Sequence, residues 1–105
     1  MGEVRVSSQE SRVSVRAGDD VVVELPENAT TGFRWEVTGL DGLELTGDDY
    51  TPDPAPPMMV GTGGTRLLRL RAEKAGEGRL ELVYRQPWGA ENETAGEYAL
   101  RVTVV

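Results

Sequence analysis

Apolar and polar residues alternate over several short segments of this chain. Phe33, Trp35 and Val37 alternate with polar residues, and a run of three valines begins at Val21. A period of two places alternate side chains on one face of an extended backbone, so these segments are predicted to be β-strands with one buried face, and Trp35 is assigned to the core. No segment of useful length has an apolar period near 3.6 residues, so we predict almost no helix.

Turn residues divide the chain into regularly spaced strands. We predict an edge strand around Val4–Val6, followed by seven core strands at about 12–16, 20–25, 33–38, 43–47, 65–72, 79–85 and 97–105. Short strands separated by turn signals are typical of a sandwich of two antiparallel sheets. The predicted fold class is therefore all-β, an immunoglobulin-like antiparallel β-sandwich of about seven to eight strands.

The predicted connections alternate between short and long. The short ones cover 17–19, 39–42 and 73–78, and the long ones cover 26–32, 48–64 and 86–96. Pro26 is predicted to end the second core strand, and four prolines between 52 and 57 predict a long loop there. Because successive antiparallel strands reverse direction, alternate connections lie at the same end. The three long loops are therefore predicted to leave one end of the sandwich together.

The absence of cysteine and histidine excludes several classes of functional site. The chain has 105 residues with no cysteine and no histidine. Disulfides, zinc thiolate sites, thiol catalysis and the usual serine or cysteine hydrolase triads are therefore excluded. Asp48, Asp49 and Asp53 lack the regular ligand spacing of a calcium loop, so they are interpreted as a solvated acidic turn. We expect no catalytic residue, no metal and no cofactor.

Net charge and hydropathy argue against several classes of binding partner. The formal charge of −7 repels phosphate backbones and anionic lipid headgroups, which argues against nucleic acid or membrane partners. No apolar run approaches the roughly 20 residues of a membrane-spanning helix, and the first residues do not form a signal sequence. We expect a soluble monomer, and the sequence leaves its compartment open: cytoplasmic, or periplasmic or secreted if a leader has been removed.

The three long loops contain residues that a simple connection does not need. Glycines permit a positive φ and a close approach of the backbone to another protein. Trp88 follows the end of a strand and is a large, rigid group of the kind that anchors interfaces, although it could equally cover the end of the sandwich. The three motifs are Asn28-Ala29-Thr30-Thr31-Gly32-Phe33, Gly61-Thr62-Gly63-Gly64 and Tyr84-Arg85-Gln86-Pro87-Trp88.

These motifs, in this order and spacing, closely resemble those of the chagasin-type inhibitors of papain-like cysteine proteases. The resemblance covers the whole chain and implies a single inhibitor domain, residues 1–105, in which the three loops form a wedge that fills the protease cleft. Thr30, Thr31, Gly32 and Phe33 would lie over the catalytic cysteine and histidine of the enzyme. The segment 61–64 would lie along one side of the cleft, and the segment 87–88 along the other.

The resemblance implies thirteen protease-binding residues in the three loops. They are Asn28, Thr30, Thr31, Gly32, Phe33, Gly61, Thr62, Gly63, Gly64, Arg85, Gln86, Pro87 and Trp88.

Two positions depart from the family pattern. Ala29 stands where the family usually has proline, which implies a less rigid central loop and a lower affinity. Gln86 stands where arginine usually precedes the Pro-Trp pair. Arg85 is one position earlier and would point to the other side of its strand.

The sequence thus predicts a reversible, tight-binding protein inhibitor of papain-family cysteine proteases that is not an enzyme. One alternative is a non-inhibitory immunoglobulin-like adhesion or accessory module, since the same fold serves other partners. A carboxylate-based glycosidase is a second alternative, suggested by the many acidic residues. The absence of an extended cleft signal argues against the glycosidase.

Overall fold

The computed structural model describes residues 2–27, 32–52, 63–86 and 94–105. Within these ranges the chain forms eight strands and no helix, which confirms the all-β prediction. None of the described residues belongs to a helix long and apolar enough to cross a membrane. The strands are β1 (Glu3–Ser7), β2 (Arg12–Val15), β3 (Asp19–Glu27), β4 (Arg34–Asp41), β5 (Glu44–Pro52), β6 (Gly64–Ala72), β7 (Gly76–Arg85) and β8 (Thr94–Val104).

The strands form two four-stranded sheets, which confirms the predicted sandwich. The first sheet has the order β1-β3-β6-β5 and the second the order β2-β8-β7-β4. Two edge pairs, β1 with β3 and β2 with β8, are parallel, so the prediction of antiparallel pairing is wrong for them. The reason is that the chain changes sheets between β1 and β2. The strand β1 therefore lies beside β3, which runs in the same direction.

The core lies between the two sheets and follows the period of two. In β3, the side chains of Val21, Val23 and Leu25 have no solvent-exposed surface. Trp35 is partly buried and packs against this core, so it lies at the core boundary rather than inside it. The other members of the buried cluster are Val6, Val15, Leu68, Leu70, Ala72, Leu80, Leu82, Tyr98, Leu100, Val102 and Val104.

Several strand ends differ from the prediction. β3 continues through Pro26 to Glu27, where Pro26 pairs with Thr65 of β6. Because β1 pairs with β3 only as far as Glu24, a proline at position 26 removes no ladder bond to β1. The strand β5 continues to Pro52 instead of ending near 47, and β8 begins at 94 instead of 97.

Candidate functional site

All three long loops begin and end at one end of the sandwich, which we call the loop end. In the first sheet, Glu27 at the end of β3 and Pro52 at the end of β5 both pair with Gly64 at the start of β6. In the second sheet, Arg85 at the end of β7 pairs with the starting residues of both β4 and β8. The strand ends that flank the loops therefore converge, as strand parity predicts.

Six of the predicted protease-binding residues lie within the described ranges, all at the loop end. They are Gly32, Phe33, Gly63, Gly64, Arg85 and Gln86. The other seven lie outside the described residues. They are Asn28, Thr30, Thr31, Gly61, Thr62, Pro87 and Trp88.

The glycines at the loop end serve two different purposes. Gly32 has a φ of 80°, a conformation that favours glycine, as predicted. Gly64, by contrast, has no positive φ. Gly64 lies in extended β6, where a Cβ atom would approach the Thr51 carbonyl oxygen to 2.6 Å and would also overlap the hydroxyl of Tyr50. Glycine at position 64 is therefore required for the close packing of β5 on β6.

An aromatic cluster joins the start of β4, after the first loop, to the end of β7, before the third. The ring centroid of Tyr84 lies 5.4 Å from that of Phe33 and 4.9 Å from that of Trp35. The indole N–H of Trp35 donates a hydrogen bond of 2.8 Å to the carbonyl oxygen of Pro26, across the gap between the two sheets. Both ends of the first loop are therefore held against the body of the sandwich, and Phe33 is half-buried.

A buried carboxylate lies directly before the first loop. The side chain of Glu27 is 1% exposed, and its Oε1 accepts the backbone N–H of Trp35 at 2.9 Å. The guanidinium of Arg66 donates to both carboxylate oxygens, from Nη2 at 2.6 Å and from Nε at 3.2 Å. This bidentate arrangement is the strong form of a charge-assisted hydrogen bond.

Arg66 also connects the buried carboxylate to β5. Its Nη1 donates to Oδ1 of Asp48 at 3.0 Å, and its guanidinium lies 5.5 Å from the ring centroid of Tyr50. The hydrogen bonds from Arg66 to Glu27 raise the pKa of the guanidinium above its ordinary value. Asp48, predicted to lie in a solvated acidic turn, is thus a strand residue with a cationic partner.

Neither Glu27 nor Arg66 is among the site residues that the sequence predicts. The sequence places Glu27 in a loop, because Pro26 is predicted to end the strand, and it places Arg66 in the strand at 65–72. A signal was present, since Glu27 continues the alternation of Val21, Val23 and Leu25 and so falls on the buried face. A glutamate on a buried face requires a cationic or hydrogen-bonding partner.

Arg85 has a defined position on the second sheet. Its Nε donates to Oε2 of Glu36 on β4 at 2.7 Å, and this hydrogen bond holds the pKa of the Glu36 carboxyl below its ordinary value. The contact fixes the end of β7 against β4. The third loop therefore begins at a strand end that this hydrogen bond holds in place.

Comparisons with known proteins agree with this architecture. The family model for the chagasin family peptidase inhibitor I42 matches residues 14–102. Amoebiasin-1 of Entamoeba histolytica is 34% identical over 92 residues, 88% of each chain, and chagasin of Trypanosoma cruzi is 30% identical over 80 residues, 72% of this chain and 73% of chagasin.

A solved structure supports the fold. The crystal structure of the cysteine protease inhibitor EhICP2 from Entamoeba histolytica superimposes with a TM-score of 0.85 at 22% identity, covering 99% of this chain and 96% of the other. At that identity the likeness concerns the fold. The family match over residues 14–102 and the 34% identity with amoebiasin-1 lead to one conclusion. The chain belongs to the chagasin family of peptidase inhibitors.

Proposed function

We propose that residues 1–105 form a single domain that inhibits papain-like cysteine proteases reversibly and tightly, by filling the active-site cleft with its three long loops. Family membership makes the chain a peptidase inhibitor and not an enzyme. The observation that carries the proposed mechanism is the convergence of all six flanking strand ends at the loop end. Loops that leave one end of a rigid sandwich can enter one groove together.

The proposed roles follow the three motifs. The first loop, with Thr30, Thr31, Gly32 and Phe33, lies over the catalytic cysteine and histidine of the protease. The second loop, with residues 61–64, lies along one wall of the cleft. The third loop, with Pro87 and Trp88, lies along the other wall, and the remaining predicted residues flank these contacts.

The hydrogen bonds that hold the strand ends beside the loops support tight binding. Association is opposed by the entropy lost when mobile segments become ordered, so a preorganised binding surface gains affinity. Here hydrogen bonds of Trp35 and Glu27 hold the strand ends that flank the first loop, and the bond between Arg85 and Glu36 holds the strand end before the third. An interface of roughly 800 Å² per partner is the ordinary size for a protease–inhibitor complex.

The proposal is tested by titrating active papain with the purified protein and following hydrolysis of a fluorogenic peptide. We expect inhibition at a one-to-one ratio, recovery of activity on dilution, and an inhibitor chain that mass spectrometry finds uncut after prolonged incubation. Cathepsins in the same assay then give the target preference. Full activity of papain and of the cathepsins in a large excess of folded protein would contradict the proposal and favour the adhesion-module alternative.

A further inference from the structure

The Glu27 cluster, formed by Glu27, Trp35, Asp48, Tyr50 and Arg66, connects the strand ends that flank the first two loops. Glu27 is the last residue of β3 before the first loop, and the Trp35 amide that it binds lies just after that loop. Arg66 lies two residues after the start of β6, where the second loop ends. The Glu27 carboxylate therefore bonds to both sheets and to strand segments that flank both loops.

Two further contacts add the end of β5 to the cluster. Arg66 binds the carboxylate of Asp48, and the hydroxyl of Tyr50 donates to the backbone carbonyl of Glu27 at 3.4 Å. Both residues precede the second loop. All four strand ends that flank the first and second loops are thus joined through one buried ion pair.

Core stability alone does not account for a glutamate at this position. The same face of β3 is filled by valine and leucine at 21, 23 and 25, and replacing a buried ion pair with apolar residues often leaves stability unchanged or raises it. Unlike valine or leucine, a carboxylate accepts hydrogen bonds along defined directions. Glu27 therefore fixes the positions of the Trp35 amide and the Arg66 guanidinium.

We propose that Glu27, through Arg66 and the amide of Trp35, is a positioning residue for inhibition that holds the first and second loops in one relative arrangement. This inference depends on the proposed function, because the arrangement matters for a cleft that both loops enter. Loss of the contact should leave encounter with the protease nearly unchanged. It should speed dissociation, because most changes within one interface act on the dissociation rate.

The test measures dissociation of preformed complexes with papain, by dilution into excess fluorogenic substrate. Glu27→Gln keeps the shape and the acceptor for Trp35 but removes the charge that binds Arg66. We expect its dissociation rate to rise about tenfold, the range of coupling found within one hydrogen-bonded network.

The control for this variant is Glu24→Gln, the same substitution in the same strand. Glu24 forms an exposed ion pair of 2.6 Å with Arg5. The dissociation rate of the Glu24→Gln variant from papain should change by less than about twofold, because exposed ion pairs contribute little to stability.

A second variant separates positioning from stability. Glu27→Gln combined with Arg66→Met removes both charges and keeps an acceptor for the Trp35 amide, and replacing a buried ion pair as a whole by neutral side chains often preserves stability. We expect a melting temperature close to that of the wild type and a dissociation rate raised as much as in Glu27→Gln. Val102→Ala, in the core of β8, supplies the comparison for a variant that loses stability without touching the cluster.

Three outcomes overturn the inference. The first is a wild-type dissociation rate in both Glu27 variants. The second is an equal increase in Glu27→Gln and Val102→Ala when their melting temperatures match, which would make stability the cause. The third is a wild-type protein that inhibits neither papain nor any cathepsin. That result would contradict the proposed function itself, and the inhibition assay of the wild type distinguishes it from the other two outcomes.

Discussion

The buried hydroxyl of Tyr98 holds one turn against the sandwich. Tyr98 of β8 is 8% exposed, and its hydroxyl donates to the backbone carbonyl of Glu10 at 2.6 Å. The bond fastens the turn between β1 and β2 to the core. Burial raises the pKa of Tyr98 to about 12, since the charged phenolate loses its hydration.

Tyr98 should make stability sensitive to alkaline pH. The native state favours the neutral phenol, so its contribution is fully present below the ordinary pKa of 10.0 and is lost as pH rises toward about 12. Urea unfolding across this interval should show a falling free energy of unfolding, with a shallower fall in Tyr98→Phe. At neutral pH that variant should lose about 1 kcal/mol, the value of one hydrogen bond. An unchanged slope would exclude Tyr98 as the cause.

Trp88 is the residue on which the proposed interface most depends. Large aromatic side chains dominate the energies of protein interfaces, so Trp88→Ala should weaken papain binding by about 2 kcal/mol or more. The melting temperature should stay nearly unchanged. Inhibition constants and thermal unfolding of the same preparation provide the test, and a large loss of stability with unchanged affinity would place the ring in the core.

Two glycines show how strand packing differs between the ends of the molecule. At the start of β6, a Cβ atom on Gly64 would lie 2.6 Å from the backbone oxygen of Thr51. In β7, far from the loops, a Cβ atom on Gly78 would lie 2.7 Å from Cγ of Leu43. A leucine side chain can rotate away, whereas a backbone carbonyl moves only with its strand.

Alanine at these positions should therefore have different effects. Gly78→Ala should lower stability by roughly 1–3 kcal/mol through overpacking and leave papain affinity unchanged. Gly64→Ala should lower stability and affinity together, since the end of β5 must shift beside the second loop. Urea unfolding and inhibition constants compare the two variants. Equal affinities would show that the packing of β5 on β6 does not affect binding.

The charge of the whole molecule should influence how fast it meets its targets. Eighteen acidic and eleven basic residues give a net charge of −7, although the outer face of the first sheet is braced by ion pairs such as Arg5 with Glu24 and Arg71 with Asp20. Each ion pair is neutral as a unit, so the long-range field follows the net charge of −7. An anionic protein is steered toward cationic partners and away from anionic ones.

Association with a basic protease should therefore slow by roughly tenfold between low and high salt. With an acidic protease, salt should instead increase the association rate. Stopped-flow inhibition at several ionic strengths measures both. The dissociation rate should change little, because steering acts on encounter. The absence of any salt effect with both enzymes would contradict a role for net charge.

The sequence by itself determined which segments are strands and which loops are long, because the period of two is a local property of each segment. Trp35 and Val37 could be assigned to a face of their strand without knowledge of which strands lie beside it. Strand parity then predicted that the long loops share an end, and the glycine-rich and Pro-Trp motifs predicted the family. The protease contacts of the thirteen motif residues remain predictions.

Tertiary structure decided the features that depend on pairing between distant segments. Whether β3 continues past Pro26 depends on which strands lie beside it, and the partner of Glu27 is 39 residues away in Arg66. The parallel edge pairs follow from the change of sheet after β1, and the need for glycine at 64 follows from the position of β5. Each of these depends on contacts between strands that are distant in the sequence, and local sequence does not encode them.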